Sequence, residues 1–251
     1  MHPDADGNCG SSQGSSTRTS PSGGRRLSSP SERPRPRGCR IIALVGPDGS
    51  GKTTVAHVIS RRLSSLGHRP IEVWFRSANL LALPAYALLR LLGYSKPVRI
   101  EGEKMIRLDL SQHPSWYQLV MLAISLDYLA AYAVRIWIRS LITNRIVVCD
   151  RFVWDTLVDI WLLGGNNAFT HRMPQTNALA KLGNQANSFI VSAPADVLLR
   201  RRRTNALDPS FARRLELYAT ISDSYGLPMI LNVSSPDETA NEILRLSGFS
   251  V

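Results

Sequence analysis

Five short stretches of nearly unbroken apolar sequence punctuate the chain: Ile41 to Val45, Ile71 to Phe75, Ile146 to Cys149, Ser188 to Val191 and Met229 to Val233. A strand covered on both faces has no polar side to show. It therefore reads as a continuous run and not as an alternation. Enough chain lies between successive runs to hold a crossover helix. Strands alternating with helices predict an α/β fold in three layers, a five-stranded parallel sheet with helices on both faces.

The intervening segments carry helical periodicity. From Lys52 to Leu66, apolar residues fall at Val55, Val58, Ile59, Leu63 and Leu66, and Gly67 closes the repeat. Trp116 to Ile138 is the longest apolar stretch, long enough to cross a bilayer. Asp127 at its middle and Arg135 near its end make a buried or half-buried helix the better reading, because a charge at the bilayer centre is costly. Asn79 to Leu92 is shorter and carries Pro84. These two segments are the candidates for weak peripheral membrane contact. Residues 1 to 38 are Ser, Gly, Pro and Arg with almost nothing aliphatic, a composition that predicts a disordered tail ahead of one domain at 39–251.

Composition narrows the classes. Cys9, Cys39 and Cys149 are odd in number and include no C-x-x-C pair, so neither a disulfide framework nor a cysteine zinc site is expected. With no apolar run in the first forty residues to act as a signal, a reducing, cytoplasmic location is expected. His57, His68, His113 and His171 show no metal-ligand spacing. The net charge of +11 comes from 30 Lys plus Arg against 19 Asp plus Glu. Apart from Arg200 to Arg203 the arginines are scattered, without a basic stripe or interleaved stacking aromatics, so no nucleic-acid partner is expected. A small phosphate-bearing ligand or an anionic membrane surface accounts for the excess equally well.

The sharpest chemical signal is Gly46-Pro47-Asp48-Gly49-Ser50-Gly51-Lys52-Thr53, which fits G-x-x-x-x-G-K-[ST] between an expected strand and an expected helix. Glycines let backbone amides approach phosphate oxygens, Lys52 reaches the β and γ phosphates, and the Thr53 hydroxyl suits Mg²⁺. A carboxylate is needed beside that ion. The third apolar run delivers one, ending in Asp150-Arg151-Phe152. A helix-capping pair is the alternative account of such an Asp and Arg, and the phosphate loop upstream weighs against it.

On these residues the sequence resembles the thymidylate kinase family of nucleoside monophosphate kinases over roughly 40 to 248. The resemblance is carried by residues 46–54, by Asp150-Arg151-Phe152, by Ala193-Pro194-Ala195-Asp196-Val197 with the Arg run after it, and by the closing helix, strand and helix. It implies a P-loop kinase fold using ATP and Mg²⁺. Gly46, Asp48, Gly49, Ser50, Gly51, Lys52, Thr53 and Thr54 would hold the nucleotide, and Thr53 and Asp150 the metal. The small-molecule phosphate acceptor would meet Asp48, Arg76, Asp127, Arg151 and Phe152. Lys52 and Arg151 would be catalytic, joined by a lid arginine, Arg203, from a lid near 200–212. A solvated basic patch is the alternative for that Arg run. A homodimer is implied by the resemblance alone.

The sequence also departs from the family. Ser77-Ala78-Asn79 stands where an acceptor loop like Glu-Pro-Gly is usual, and Ser125-Leu126-Asp127-Tyr128 lacks the family's Arg after its Asp. Asp127 is left with two readings, in the acceptor pocket or paired with Arg135. The expected acceptor is a nucleoside monophosphate such as dTMP. A nucleoside or sugar is the rival acceptor, and an NTP-binding switch or accessory protein at a membrane surface is the rival class.

Overall fold

A computed structural model describes residues 41–75, 82–100, 103–108, 110, 113–137, 145–164 and 174–250. The 1–38 tail and Arg76 lie outside the described residues. Each expected strand is present: β1 (Ile41–Val45), β2 (Ile71–Trp74), β5 (Val147–Asp150), β6 (Asn187–Ser192) and β7 (Met229–Leu231). They form one sheet in the order β2-β5-β1-β6-β7, with every pairing parallel. The α/β arrangement expected from the apolar runs is therefore the one observed.

Alternate residues of the central strand feed two cores. Ile41, Ala43 and Val45 join Val147, Cys149 and the helices α3 (Pro114–Tyr132), α4 (Val153–Leu163), α5 (Pro174–Gly183) and α8 (Phe211–Tyr225). Ile42 and Leu44 face α1 (Lys52–Ser65) and α9 (Pro236–Leu246). Both sheet faces are covered, which is why β1 shows no polar position. Local chemistry fixes the helix ends. Ser235 accepts the Glu238 N–H at 3.1 Å with Pro236 opening α9, and Gly226 closes α8 in the left-handed region.

One feature was not foreseen. After α2 (Ala82–Leu91) the chain forms an antiparallel hairpin, β3 (Ser95–Ile100) with β4 (Glu103–Leu108), pairing Ser95 with Leu108 and Ile100 with Glu103. A helix also ends within the arginine run. α6 (Ala195–Arg201) stops before Arg202, which is extended, and α7 (Thr204–Leu207) is a single new turn.

The long apolar segment is α3 followed by a π-helical turn at Ala133–Trp137. By length and hydropathy it could cross a membrane, but half of its apolar window is buried inside the protein. Val120, Met121, Ile124 and Tyr128 sit in the core, whereas Leu119, Leu122, Leu126 and Leu129 face outward, each 41–47% exposed. Asp127, the one charged residue of α3, is on the buried side.

Candidate active site

The loop leaves β1 at the middle of the sheet, and its glycines are there for room. A Cβ on Gly46 would lie 2.1 Å from the Val191 carbonyl oxygen, and one on Gly51 2.4 Å from Asn232 Nδ2, each at a positive φ. Asn232, just past β7, donates to the Ser50 carbonyl at 2.8 Å and accepts from Thr239 Oγ1 at 3.2 Å. A residue from the far end of the chain thus braces the loop.

Lys52 is 5% exposed, with Nζ donating to the carbonyls of Gly46 and Pro47, both at 2.7 Å, and to Ser50 Oγ at 3.3 Å. Burial pulls its pKa down to about 8, against the pull of Asp155, Asp48 and Asp150. An ammonium held by neutral carbonyls in a dry pocket is well placed to move onto an anionic oxygen.

Strand register brings the second group. Leu44 of β1 lies opposite Asp150 of β5, so the carboxylate emerges beside the loop. Thr53 Oγ1 donates to Asp150 Oδ2 at 2.5 Å. Among the described residues no cluster of three or more His, Cys, Asp or Glu could form a metal cage. A hydroxyl and one carboxylate instead fit Mg²⁺, which keeps several waters and takes its other ligands from phosphates. A glycine-rich loop at the N-terminus of α1 and a buried ammonium fit the polyphosphate.

Arg151 is the one described non-glycine residue with positive φ, at 72°. Such a conformation costs roughly 1–2 kcal/mol for an L-residue with a bulky side chain. Its N–H bonds to the Leu44 carbonyl at 2.9 Å, and its guanidinium pairs with Asp48 and lies 3.9 Å from Asp155. Burial opposes the charge on Arg151, but the Asp155 and Asp48 carboxylates outweigh it and raise the pKa. Burial likewise pushes Asp48 up, yet its hydrogen bond to Arg151 and the positive groups around it leave its pKa lowered.

Around this pair lie further groups, of which the sequence had singled out only the run that holds Arg202. Arg202 Nη1 reaches Asp48 Oδ2 at 3.1 Å, and Asn205 donates to the Asp48 carbonyl at 2.9 Å. Arg214 on α8 pairs with Asp159 at 2.5 Å, with Asp208 3.8 Å away. Buried Asp155 accepts from Gly46, Phe152 and Tyr218. Arg151, Arg214, Asp48, Asp208, Asn205, Phe211, Tyr218 and Gly46 line a polar cavity of about 70 Å³ beside the loop. An acid at the third position of a helix reads as a cap, which hides Asp155 in the sequence. Arg214 and Tyr218, one turn apart, carry a faint signal: a helical face that turns polar between Leu217 and Ile221.

Asp48, Lys52, Thr53, Asp150 and Arg151 are thus within one constellation. Thr54 is exposed on the first turn of α1. The Phe152 ring is fully buried, with its centroid 6.2 Å from those of Phe75 and Tyr132, so it supports the site from the core. Arg203 is exposed and its neighbour Arg202 holds Asp48. Asp127 is buried near Tyr86 of α2, whose hydroxyl is raised to about 12 by burial and the charges of Asp159 and Asp127.

No protein-family model matches this sequence. No curated protein matches it either. Among solved structures the chain is similar to a thymidylate kinase from Ehrlichia chaffeensis, at 15% sequence identity and a TM-score of 0.48, over 85% of this chain and 100% of that one.

Proposed function

We propose that this chain is an ATP- and Mg²⁺-dependent phosphotransferase, with a nucleoside monophosphate such as dTMP as acceptor, converting dTMP and ATP to dTDP and ADP. The observation that carries the proposal is the meeting, at one end of adjacent strands, of the glycine loop, the Thr53–Asp150 pair and Arg151. When bound, Mg·ATP supplies an electrophilic γ-phosphoryl group and the charge of the ion. The chain supplies position and field.

Lys52 would exchange its carbonyl partners for β and γ oxygens, while the loop amides would hold the remaining charge. Thr53 and Asp150 would hold the ion. Arg151, forked and fixed by its backbone, faces the acceptor phosphate, and Asp48 accepts from an acceptor hydroxyl. Arg76 belongs to the acceptor side in the same scheme, and buried Phe152 supports Arg151 from the core. The 200–212 segment closes over the donor and brings in a lid arginine, Arg203, with Arg202 already at Asp48.

A sugar or nucleoside acceptor is the second reading. Ser77-Ala78-Asn79 and Ser125-Leu126-Asp127-Tyr128, which depart from the family's acceptor segments, support it. A homodimer through α3 accompanies either reading. Leu119, Leu122, Leu126 and Leu129 are spaced three, four and three apart. That spacing is the same from both ends, so a two-fold axis lays leucine on leucine along an antiparallel helix pair.

The test is ADP release from Mg·ATP across nucleoside monophosphates, nucleosides and sugars. Stimulation by dTMP is expected. Stimulation only by a sugar or nucleoside selects the second acceptor, and slow hydrolysis indifferent to every acceptor overturns the transferase in favour of an NTP-driven switch.

A further inference from the structure

We infer that Asp155 is a positioning residue that ties the phosphate loop to α8, so that the stretch leading into α8 and the mouth of the loop move together. The inference rests on the phosphotransfer proposal only where turnover is the readout. An acid at the third position of a helix ordinarily caps that helix and nothing more. One oxygen does this: Oδ2 accepts the Phe152 N–H at 3.2 Å. The other oxygen reaches across the fold. Oδ1 accepts the Gly46 N–H at 3.0 Å and the Tyr218 hydroxyl at 2.5 Å, with Arg151 Nη1 3.9 Å away.

All of this is out of water: burial pushes the Asp155 pKa up, and the carboxylate form is favoured by Lys52, Arg151 and the hydrogen bonds from Tyr218 and Gly46, so its lone pairs must stay satisfied. The donors come from three separate elements, so moving any one of them leaves part of the charge bare. Gly46 is gripped from both sides: its N–H goes to Asp155 and its C=O accepts from Lys52. It has no room to yield toward Val191. Tyr218 holds its proton firmly, because burial and the Asp155 charge both raise its pKa, and so it donates.

The stretch between α6 and α8 therefore has two routes to the loop. One is direct, through Arg202 and Asn205 onto Asp48. The other runs along α8 through Tyr218 and Asp155 to Gly46. Whatever displaces α8 displaces the first residue of the loop, on which Lys52 also depends. A purely local cap would make Tyr218 irrelevant to the loop.

Amide hydrogen exchange on the nucleotide-free full chain, read over residues 41–55, separates the two accounts. Tyr218→Phe removes one donor and touches nothing in the loop. It should speed exchange there by about tenfold, the effect of losing one hydrogen bond to a charged group. It should also weaken Mg·ATP binding severalfold by calorimetry and lower kcat with acceptor KM held within about twofold. Asp155→Asn should do more, and the double variant no more than Asp155→Asn alone. Tyr218→Phe with wild-type loop exchange and Mg·ATP affinity overturns the inference, as does a double variant whose effects multiply. If Asp155→Asn does not fold, Tyr218→Phe decides by itself. Failure of the phosphotransfer proposal would appear separately, as wild-type protein that releases no ADP in response to any acceptor, while exchange in the apo chain still decides the role of Asp155.

Discussion

The phosphate loop and the outer face of α3 are opposites in how they are held. At the loop, Lys52, Asp48, Arg151 and Asp155 each have two or more polar partners; those of Lys52 come from the loop itself, and Asp48 and Asp155 draw theirs from distant elements. Along the outer face of α3, four leucines are close to half exposed and no charged residue stands among them. The described groups of the first region find their partners within one chain, so its chemistry can be argued from its own geometry. The second acquires meaning only against another surface, because a contiguous apolar face in water is costly until it is covered. The proposed chemistry and the proposed self-association thus fall in different parts of this sequence, and each can be tested without the other.

The largest expected effect is at the loop. Lys52→Ala should lower acceptor-dependent turnover by roughly a thousandfold or more, since the ammonium stabilises charge that develops in transfer. A steady-state assay near wild-type rate would remove the loop from the mechanism. Arg151→Ala comes next, with acceptor kcat/KM down by roughly a hundredfold and nucleotide affinity little changed, as expected for loss of a charge-assisted fork. Equal losses for donor and acceptor would place Arg151 elsewhere.

A smaller effect follows from the Lys52 pKa of about 8. Below that pH the amine is charged before a triphosphate binds. Above it the free protein must take up a proton on binding, because the bound anion raises the pKa. Mg·ATP affinity should therefore be flat below about pH 8 and fall toward tenfold per unit above it. Calorimetry in buffers of different ionisation enthalpy would register the uptake, and a flat profile to pH 9.5 would contradict it. The smallest effect on chemistry belongs to α3. Leu122→Glu with Leu126→Glu should convert a dimer to a monomer by sedimentation, while turnover per chain stays within about twofold. A wild-type chain that sediments as a monomer, or a variant that remains dimeric, would deny α3 that role.

Much of this was legible in sequence for physical reasons. The buried strands announce themselves because both faces are covered, and Gly46, Gly51 and Lys52 because phosphate binding permits few substitutes. The hairpin of β3 and β4 escaped because Lys96, Pro97, Glu103 and Lys104 hide any apolar alternation. Asp155 and Asn232 escaped because their partners lie 109 and 182 positions away, beyond any local pattern. The arginine run showed that a cluster exists but not that Arg202 would meet Asp48, which depends on where α6 stops.

The pairing of Leu44 with Asp150 continues one step further, into the bond from Arg151 N–H to the Leu44 carbonyl. That ladder acts as a gauge, setting by how many ångströms the carboxylate and the guanidinium stand off from the loop. Sliding β5 by a single residue would turn both side chains to the opposite side of the sheet. Mutations buried deep between β1 and β5, far from any ligand, would therefore be felt as mis-aimed chemistry before they were felt as lost stability.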